Sequence, residues 1–174
     1  SARPVRYRFG PASSADHSGV PRTDQRIDVS AHSPAETIQT GGCSIVVRRV
    51  GGPGAAELFL LGQPPVGASG AAEQAESVYG AIRAALEARG GGCESIVAET
   101  VFLRSLRGDL AAVRAARERV LSACGGRPVR PATSEIEQPP LAEGSRLEVS
   151  VHAILPSEPP LRVETIEAAP SCGC

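Results

Sequence analysis

Between Cys43 and Leu155 the apolar residues change spacing again and again, from every second position to every third or fourth and back. Side chains alternate across a strand with a period of 2 and recur on a helix with a period of about 3.6. The order of the changes therefore dictates the order of elements. Cys43-Ser44-Ile45-Val46-Val47-Arg48-Arg49-Val50 is rich in β-branched residues and reads as a strand. Gly51-Gly52-Pro53-Gly54 is a turn, and Glu57-Leu58-Phe59-Leu60-Leu61 is the return strand of a hairpin, closed by Gly62-Gln63-Pro64-Pro65. From Ala72 to Arg89, Ala75, Val78, Tyr79, Ile82 and Leu86 form one apolar helical stripe. Glu73 and Glu76 near its start and Arg89 near its end suit the helix dipole. Gly90-Gly91-Gly92 stops this helix; it follows a helix and lacks a Gly-Lys-Ser/Thr, so it is not a phosphate loop.

Ile96 to Leu103, an apolar run broken by Glu99, reads as a strand buried on both faces. Asp109 is placed to cap a second helix running to about Cys124, with Leu110, Val113, Val120, Leu121 and Cys124 inward and Gly125-Gly126 at its end. A short strand near Thr133–Glu137 follows, broken by Pro139-Pro140. The last long strand runs from Arg146 to Leu155, with Leu147, Val149 and Val151 on one face and Glu148, Ser150 and His152 on the other. The order is strand, strand, helix, strand, helix, strand, strand. Two helices can cover one face of a mixed sheet; the other face also carries apolar residues, so a second copy of the chain is expected to bury it.

This places one α+β domain at residues 41–156. Residues 1–40 form an irregular N-terminal extension in which Arg26–Ser30 alternates like a short strand, and 157–174 form a Pro/Glu-rich tail. No apolar stretch can span a bilayer and no N-terminal signal is visible, so the expected location is the cytoplasm and no membrane partner is expected.

The balance of charged residues excludes several chemistries. Net charge is -1, and all 18 basic residues are arginine. Without lysine there is no Schiff base to the chain, and anions must be held by Arg, His or backbone N–H. A near-neutral chain with 3% aromatic residues has neither the basic groove nor the stacking surfaces of a nucleic-acid binder. The five cysteines, Cys43, Cys93, Cys124, Cys172 and Cys174, are odd in number and widely spaced, a poor disulfide framework. Cys172-Gly173-Cys174 lacks a second ligand pair, so no metal site is expected.

From Phe59 to Leu155 the chain resembles the YjgF/RidA family, also called the L-PSP endoribonuclease family. Leu61-Gly62-Gln63-Pro64-Pro65 is similar to the family's Ser-Gly-Gln-(Leu/Ile)-Pro turn. Glu73-Gln74-Ala75 through Leu86-Glu87-Ala88 is similar to its first helix, and Ile96–Leu103 to its central Val-Val-Lys-Thr-Thr-Val-Phe-Leu strand. Asp109-Leu110-Ala111-Ala112-Val113 resembles its Asp-Phe-Ala-Ala-Val helix start, and Val151-His152-Ala153-Ile154 its closing Ile-Glu-Ala-Ile. The resemblance implies a chorismate-mutase-like mixed sheet with two helices on one face, a homotrimer, and ligand sites in the clefts between subunits. It implies hydrolysis of small reactive enamines or imines to keto acids and ammonia, with no cofactor. A small anionic metabolite is the implied partner.

In the family an Arg in a Pro-Ala-Arg-Ser/Thr segment holds the substrate carboxylate, and a Glu in the last strand positions water. Here Pro128-Val129-Arg130 aligned on that segment makes Arg130 the clamp. Pro131-Ala132-Thr133-Ser134 aligned instead puts Thr133 there and removes it. Glu148 is the water-positioning carboxylate under an ungapped spacing; anchoring on Ala153-Ile154 substitutes Ser150, with His152 beside it. Arg114 stands at a helix position that often holds Asn, and Gly62 and Gln63 lie where family backbone meets the ligand. The catalytic candidates are thus Glu148 and Arg130; the substrate-binding candidates are Gly62, Gln63, Arg114, Thr133, Ser150 and His152. The alternatives are a chorismatase-like enzyme, which the extra arginines suit, and a ligand-binding trimer without catalysis, expected if Thr133 replaces the clamp.

Overall fold

The computed structural model describes residues 6–7, 33–52, 54–65, 67, 70–124, 130–156 and 165–166. In chain order the elements are β1 (Arg6–Tyr7), β2 (Glu36–Thr40), β3 (Cys43–Gly52), β4 (Ala55–Gln63), α1 (Ala71–Glu87), a 3₁₀ turn (Cys93–Ser95), β5 (Ile96–Leu103), α2 (Leu106–Ser122), β6 (Ala132–Glu137), β7 (Leu147–Pro156) and β8 (Thr165–Ile166). Strands β2 to β7 form one sheet in the order β2-β3-β4-β7-β5-β6. Every neighbouring pair is antiparallel except β5 and β6, which run parallel, as a strand–helix–strand crossover requires.

The predicted mixed sheet with its two helices is present. The stripe of α1 is buried as its spacing demands: Ala75, Val78, Tyr79, Ile82 and Leu86 are each 1% exposed or less. They join Ile45, Leu58 and Leu60 from the hairpin, and Val101, Leu103, Leu147, Val149 and Val151 from the central strands, in one continuous core. Gly90 ends the helix with φ 79°, a conformation that favours a residue without a Cβ. Just before it, Arg89 Nη1 donates to the Ala85 carbonyl at 2.9 Å, which satisfies a helix-end acceptor and places positive charge at the negative end of the dipole.

Five expectations need correction. The segment Glu36–Thr40, read as part of an irregular extension, is an edge strand in register with β3, Ile38 opposite Ile45. Thr165–Ile166, placed in the tail, pairs with Arg6–Tyr7 in a small sheet of its own. The run Ile96–Leu103 is not buried on both faces along its length: Val101 and Leu103 are inside, and Thr100 and Phe102 are half-exposed. Its apolar character reflects a second face that no helix covers. Helix α2 starts four residues earlier than expected, capped by Ser105, whose Oγ accepts from Gly108 N at 3.1 Å. Asp109 is instead buried within the first turn, where Arg146 donates to its Oδ1 at 2.7 and 3.0 Å. Finally, Cys93 and Cys124 form a disulfide that ties the turn after α1 to the end of α2. Sequence separation hid this pair; the packing of α1 on α2 brings it together. Arg26–Ser30, Gly125-Gly126, Cys172 and Cys174 lie outside the described residues.

Candidate functional site

The candidate residues fall into two groups on opposite sides of the sheet. In a ladder, residues directly opposite each other point to the same side. On β7, Leu147, Val149 and Val151 face the helices, so Glu148, Ser150 and His152 face away. Register carries that helix-free face across the sheet. Glu148 lies opposite Phe102; Ser150 lies opposite Thr100 and Leu61; His152 lies opposite Ala98 and Phe59. Gln63 closes the pattern: its Nε2 donates to Glu148 Oε2 at 2.9 Å. Glu148 is only 6% exposed, and no described arginine or histidine pairs with it. A row further on, His152 Nε2 stands 2.9 Å from Glu57 Oε2, and its ring stacks on Phe59 with centroids 4.6 Å apart. Phe59 and Ile136 remain 43% and 41% exposed on this face.

Gly62 belongs to the other side. A Cβ there would lie 2.8 Å from Val78 Cγ1 and 3.2 Å from Ile45 and Ile82 Cδ1. The residue is glycine because α1 packs directly onto the strand, and it points away from Gln63 and Glu148.

The helix-covered side holds the second group, and its centre was not among the sequence candidates. Glu99, on β5, is 3% exposed. Thr133 Oγ1 donates to its Oε1 at 2.8 Å, and Tyr79 Oη donates to its Oε2 at 3.2 Å. Arg117 Nε of α2 is 2.5 Å from Glu99 Oε1, an ion contact whose N–H is not aligned as a hydrogen bond. Burial first, and then the negative charge of Glu99, push the Tyr79 phenol well above the ordinary tyrosine range, so it stays a donor. A charged residue interrupting an otherwise apolar strand was the available signal: a buried carboxylate requires partners. Which partners could not be read from sequence, because they come from α1, α2 and β6.

Beside this cluster an open cleft of about 410 Å³ lies between the end of α2 and the entry to β6, lined by Arg117, Leu121, Ser122, Arg130 and Thr133. Arg130 and Thr133, alternatives in sequence alignment, are thus neighbours in space: Arg130 is exposed and Thr133 is turned inward to Glu99. Arg130 and Glu148 are not brought together within one subunit, since the sheet lies between them. Arg114 is also apart, held by Glu135 in a bidentate surface pair at 2.7 and 2.5 Å. Among the described residues there is no cluster of three or more His, Cys, Asp or Glu able to hold a metal. No described helix is long and apolar enough to cross a membrane.

No protein-family model and no curated protein matches the chain. Solved structures do. The chain is similar to the YjgF gene product from E. coli, with 27% identity, 61% of this chain and 84% of that one covered, and a TM-score of 0.52. It is similar to NMB1025 from Neisseria meningitidis, a member of the YjgF protein family, with 25% identity, 61% and 83% covered, and a TM-score of 0.51. E. coli TdcF, solved with bound serine, shares the fold at 21% identity, with 62% and 85% covered and a TM-score of 0.52.

Proposed function

The chain belongs to the YjgF/RidA family, and on that premise we propose that it is a cofactor-independent hydrolase of a small carboxylate-bearing enamine or imine, acting at clefts between the subunits of a homotrimer. One observation carries the reading: Glu148 is a buried carboxylate with a neutral amide as its partner, on a sheet face that leaves Phe59 and Ile136 open to a second copy. A carboxylate so placed can act as a general base on a water held beside it.

The chemistry follows from that placement. Gln63 fixes one oxygen of Glu148, leaving the other to take a proton from water. The water oxygen bonds to the imine carbon, the C=N electron pair moves to nitrogen, and nitrogen takes the proton that Glu148 received, giving a carbinolamine. In its collapse the hydroxyl proton passes by way of Glu148 to nitrogen, the C=O bond forms as the C–N bond breaks, and ammonia and a keto acid leave; an enamine first takes a proton on carbon to become the imine. A guanidinium holds the substrate carboxylate. Since Arg130 lies across the sheet from Glu148, a site using both takes one from each of two subunits. A cytoplasmic location is part of this reading; it would hold Cys93 and Cys124 as thiols.

The test is ammonia release from an imine generated in situ. Glu148→Gln should lower turnover about 10²-fold or more, and mixing Glu148→Gln with Arg130→Ala subunits should restore part of it. Unchanged turnover in Glu148→Gln removes the assignment. A second reading is favoured by Thr133, which is committed to Glu99: if it occupies the family's arginine position, the protein is a ligand-binding trimer. Ligand would then raise the melting temperature without being converted.

A further inference from the structure

We propose that Cys93 and Cys124 are a reversible thiol–disulfide switch, closed by a low-molecular-weight disulfide that enters at Cys124, and that the switch sets how firmly the last turn of α2 is held to the subunit. The proposal goes beyond the hydrolase reading and does not depend on it.

The two ends of α2 are held in different ways. At the start, Ser105 caps the helix, Glu137 Oε2 accepts from Leu106 N at 2.7 Å, and Arg146 donates to the buried Asp109. At the end, Leu121 is buried, Arg119 reaches Glu76 in an exposed pair, and Cys124 is bonded to Cys93. Ser122 and Ala123, between Leu121 and the bridge, are exposed. The bridge joins cysteines 31 positions apart and closes a loop that contains the whole of β5 and of α2. Both members of the Glu99–Arg117 contact lie inside that loop. Opening the bridge therefore removes the covalent tie between the end of α2 and the 3₁₀ turn that leads into β5. Leu121 and Ser122 also line the cleft beside Arg130, so the freed turn is one wall of that cleft.

Burial assigns the two sulfurs their roles. Cys93 is 1% exposed and Cys124 is half-buried, so an incoming reagent meets Cys124 first. Cys124 Sγ lies 3.5 Å from the Val120 carbonyl, at the negative end of the α2 dipole. Both features favour its thiol over its thiolate, which makes exchange slow. That suits a device answering a sustained change in thiol–disulfide balance and not a redox catalyst. In a reducing compartment the pair rests as thiols and closes when disulfide accumulates. In closing, Cys124 loses its proton and its thiolate attacks one sulfur of the small disulfide. A mixed disulfide forms and one small thiolate leaves. The deprotonated Cys93 then attacks Cys124 Sγ, the bridge forms and the second small thiolate leaves. Two electrons and two protons have passed from the cysteines to the small disulfide, which departs as two thiols. A dithiol drives the reverse. Cys43, wholly buried with its thiol pKa raised by that burial, stays out of the exchange.

The experiment places the folded full chain, carrying Cys172→Ser and Cys174→Ser, in mixtures of glutathione and its disulfide. The thiols left are Cys43, Cys93 and Cys124. Alkylation and peptide mapping follow the bridge, and hydrogen exchange follows α2. Glutathione disulfide should join Cys93 to Cys124 and leave Cys43 free, and dithiothreitol should reopen the bridge without urea. The amides of Leu121 and Ser122 should exchange about tenfold or more faster in the reduced form, and that of Val113 should change by less than about twofold. Cys93→Ala should trap glutathione on Cys124, and Cys124→Ala should leave Cys93 unmodified. The proposal is overturned if the bridge does not form, if it opens only in urea, or if Leu121 and Ser122 exchange alike in both states. Glutathione on Cys93 in Cys124→Ala overturns entry at Cys124. Should an alanine variant not fold, acid quenching of the intact pair during oxidation decides the route: the trapped glutathione must sit on Cys124, and its presence on Cys93 overturns that entry.

Discussion

The two sides of the sheet carry charge in different ways. On the helix-covered side, Glu99 is surrounded by Tyr79, Thr133 and Arg117, so its charge is matched and its position over-determined. On the helix-free side, Glu148 has a neutral amide, and His152 and Glu57 share an exposed pair beside an exposed phenylalanine. The first arrangement is rigid because removing any member leaves an orphaned buried group. The second is open to a partner. One sheet thus holds a carboxylate tied to three partners on its helix-covered side and another bonded to a single amide on its helix-free side.

The contrast can be broken most sharply at its charged centres. Arg117→Ala leaves Glu99 buried without its cation and should cost about 3–5 kcal/mol of subunit stability. Glu57→Ala, which removes the exposed partner of His152, should cost about 0–1 kcal/mol; urea denaturation of both variants compares them directly. Equal losses would mean that the two sides are not different in kind.

Adjacent leucines sharpen the same comparison without charge. Leu60 is 1% exposed and faces the helices, while Leu61 is half-exposed on the other side. Leu60→Ala should cost about 2–5 kcal/mol at any protein concentration. Leu61→Ala should cost less, and if a second copy covers it the variant should dissociate at a higher protein concentration than the wild type, as sedimentation would show. At Gly62, where a Cβ meets Val78, Gly62→Ala should cost about 1–3 kcal/mol through overpacking against α1, read as a lower midpoint of thermal unfolding.

The smallest effects are in pH. The Tyr79 pKa is raised on folding, so its contribution is intact below the ordinary tyrosine pKa and is lost as pH rises toward the folded value. In a Tyr7→Phe background, phenolate absorbance should therefore appear only together with alkaline unfolding. Glu135 is shifted the other way: its hydrogen bonds from Arg114 lower its pKa, against the effect of partial burial. Its contribution holds above the ordinary carboxylate pKa and fades as pH falls through the folded one. Because Arg114 is exposed and water screens the pair, its contribution should be the smallest of these effects, read as the difference between wild type and Glu135→Gln in acid unfolding.

The order of elements from Cys43 to Leu155, the buried stripe of α1 and the two-faced pattern of β7 were all legible in the chain, because periodicity is a local property that each segment carries in its own residues. So was the candidacy of Glu148 and Gln63. Segments whose pattern was weak, such as Glu36–Thr40, became strands only because a neighbouring edge offered hydrogen bonds. The partners of Glu99, the neighbourhood of Arg130 and Thr133, the disulfide of Cys93 with Cys124, and the packing need behind Gly62 were decided by tertiary structure. Each depends on residues far apart in the chain, and spacing along a sequence does not say which side of a sheet, or which helix, a distant residue will meet.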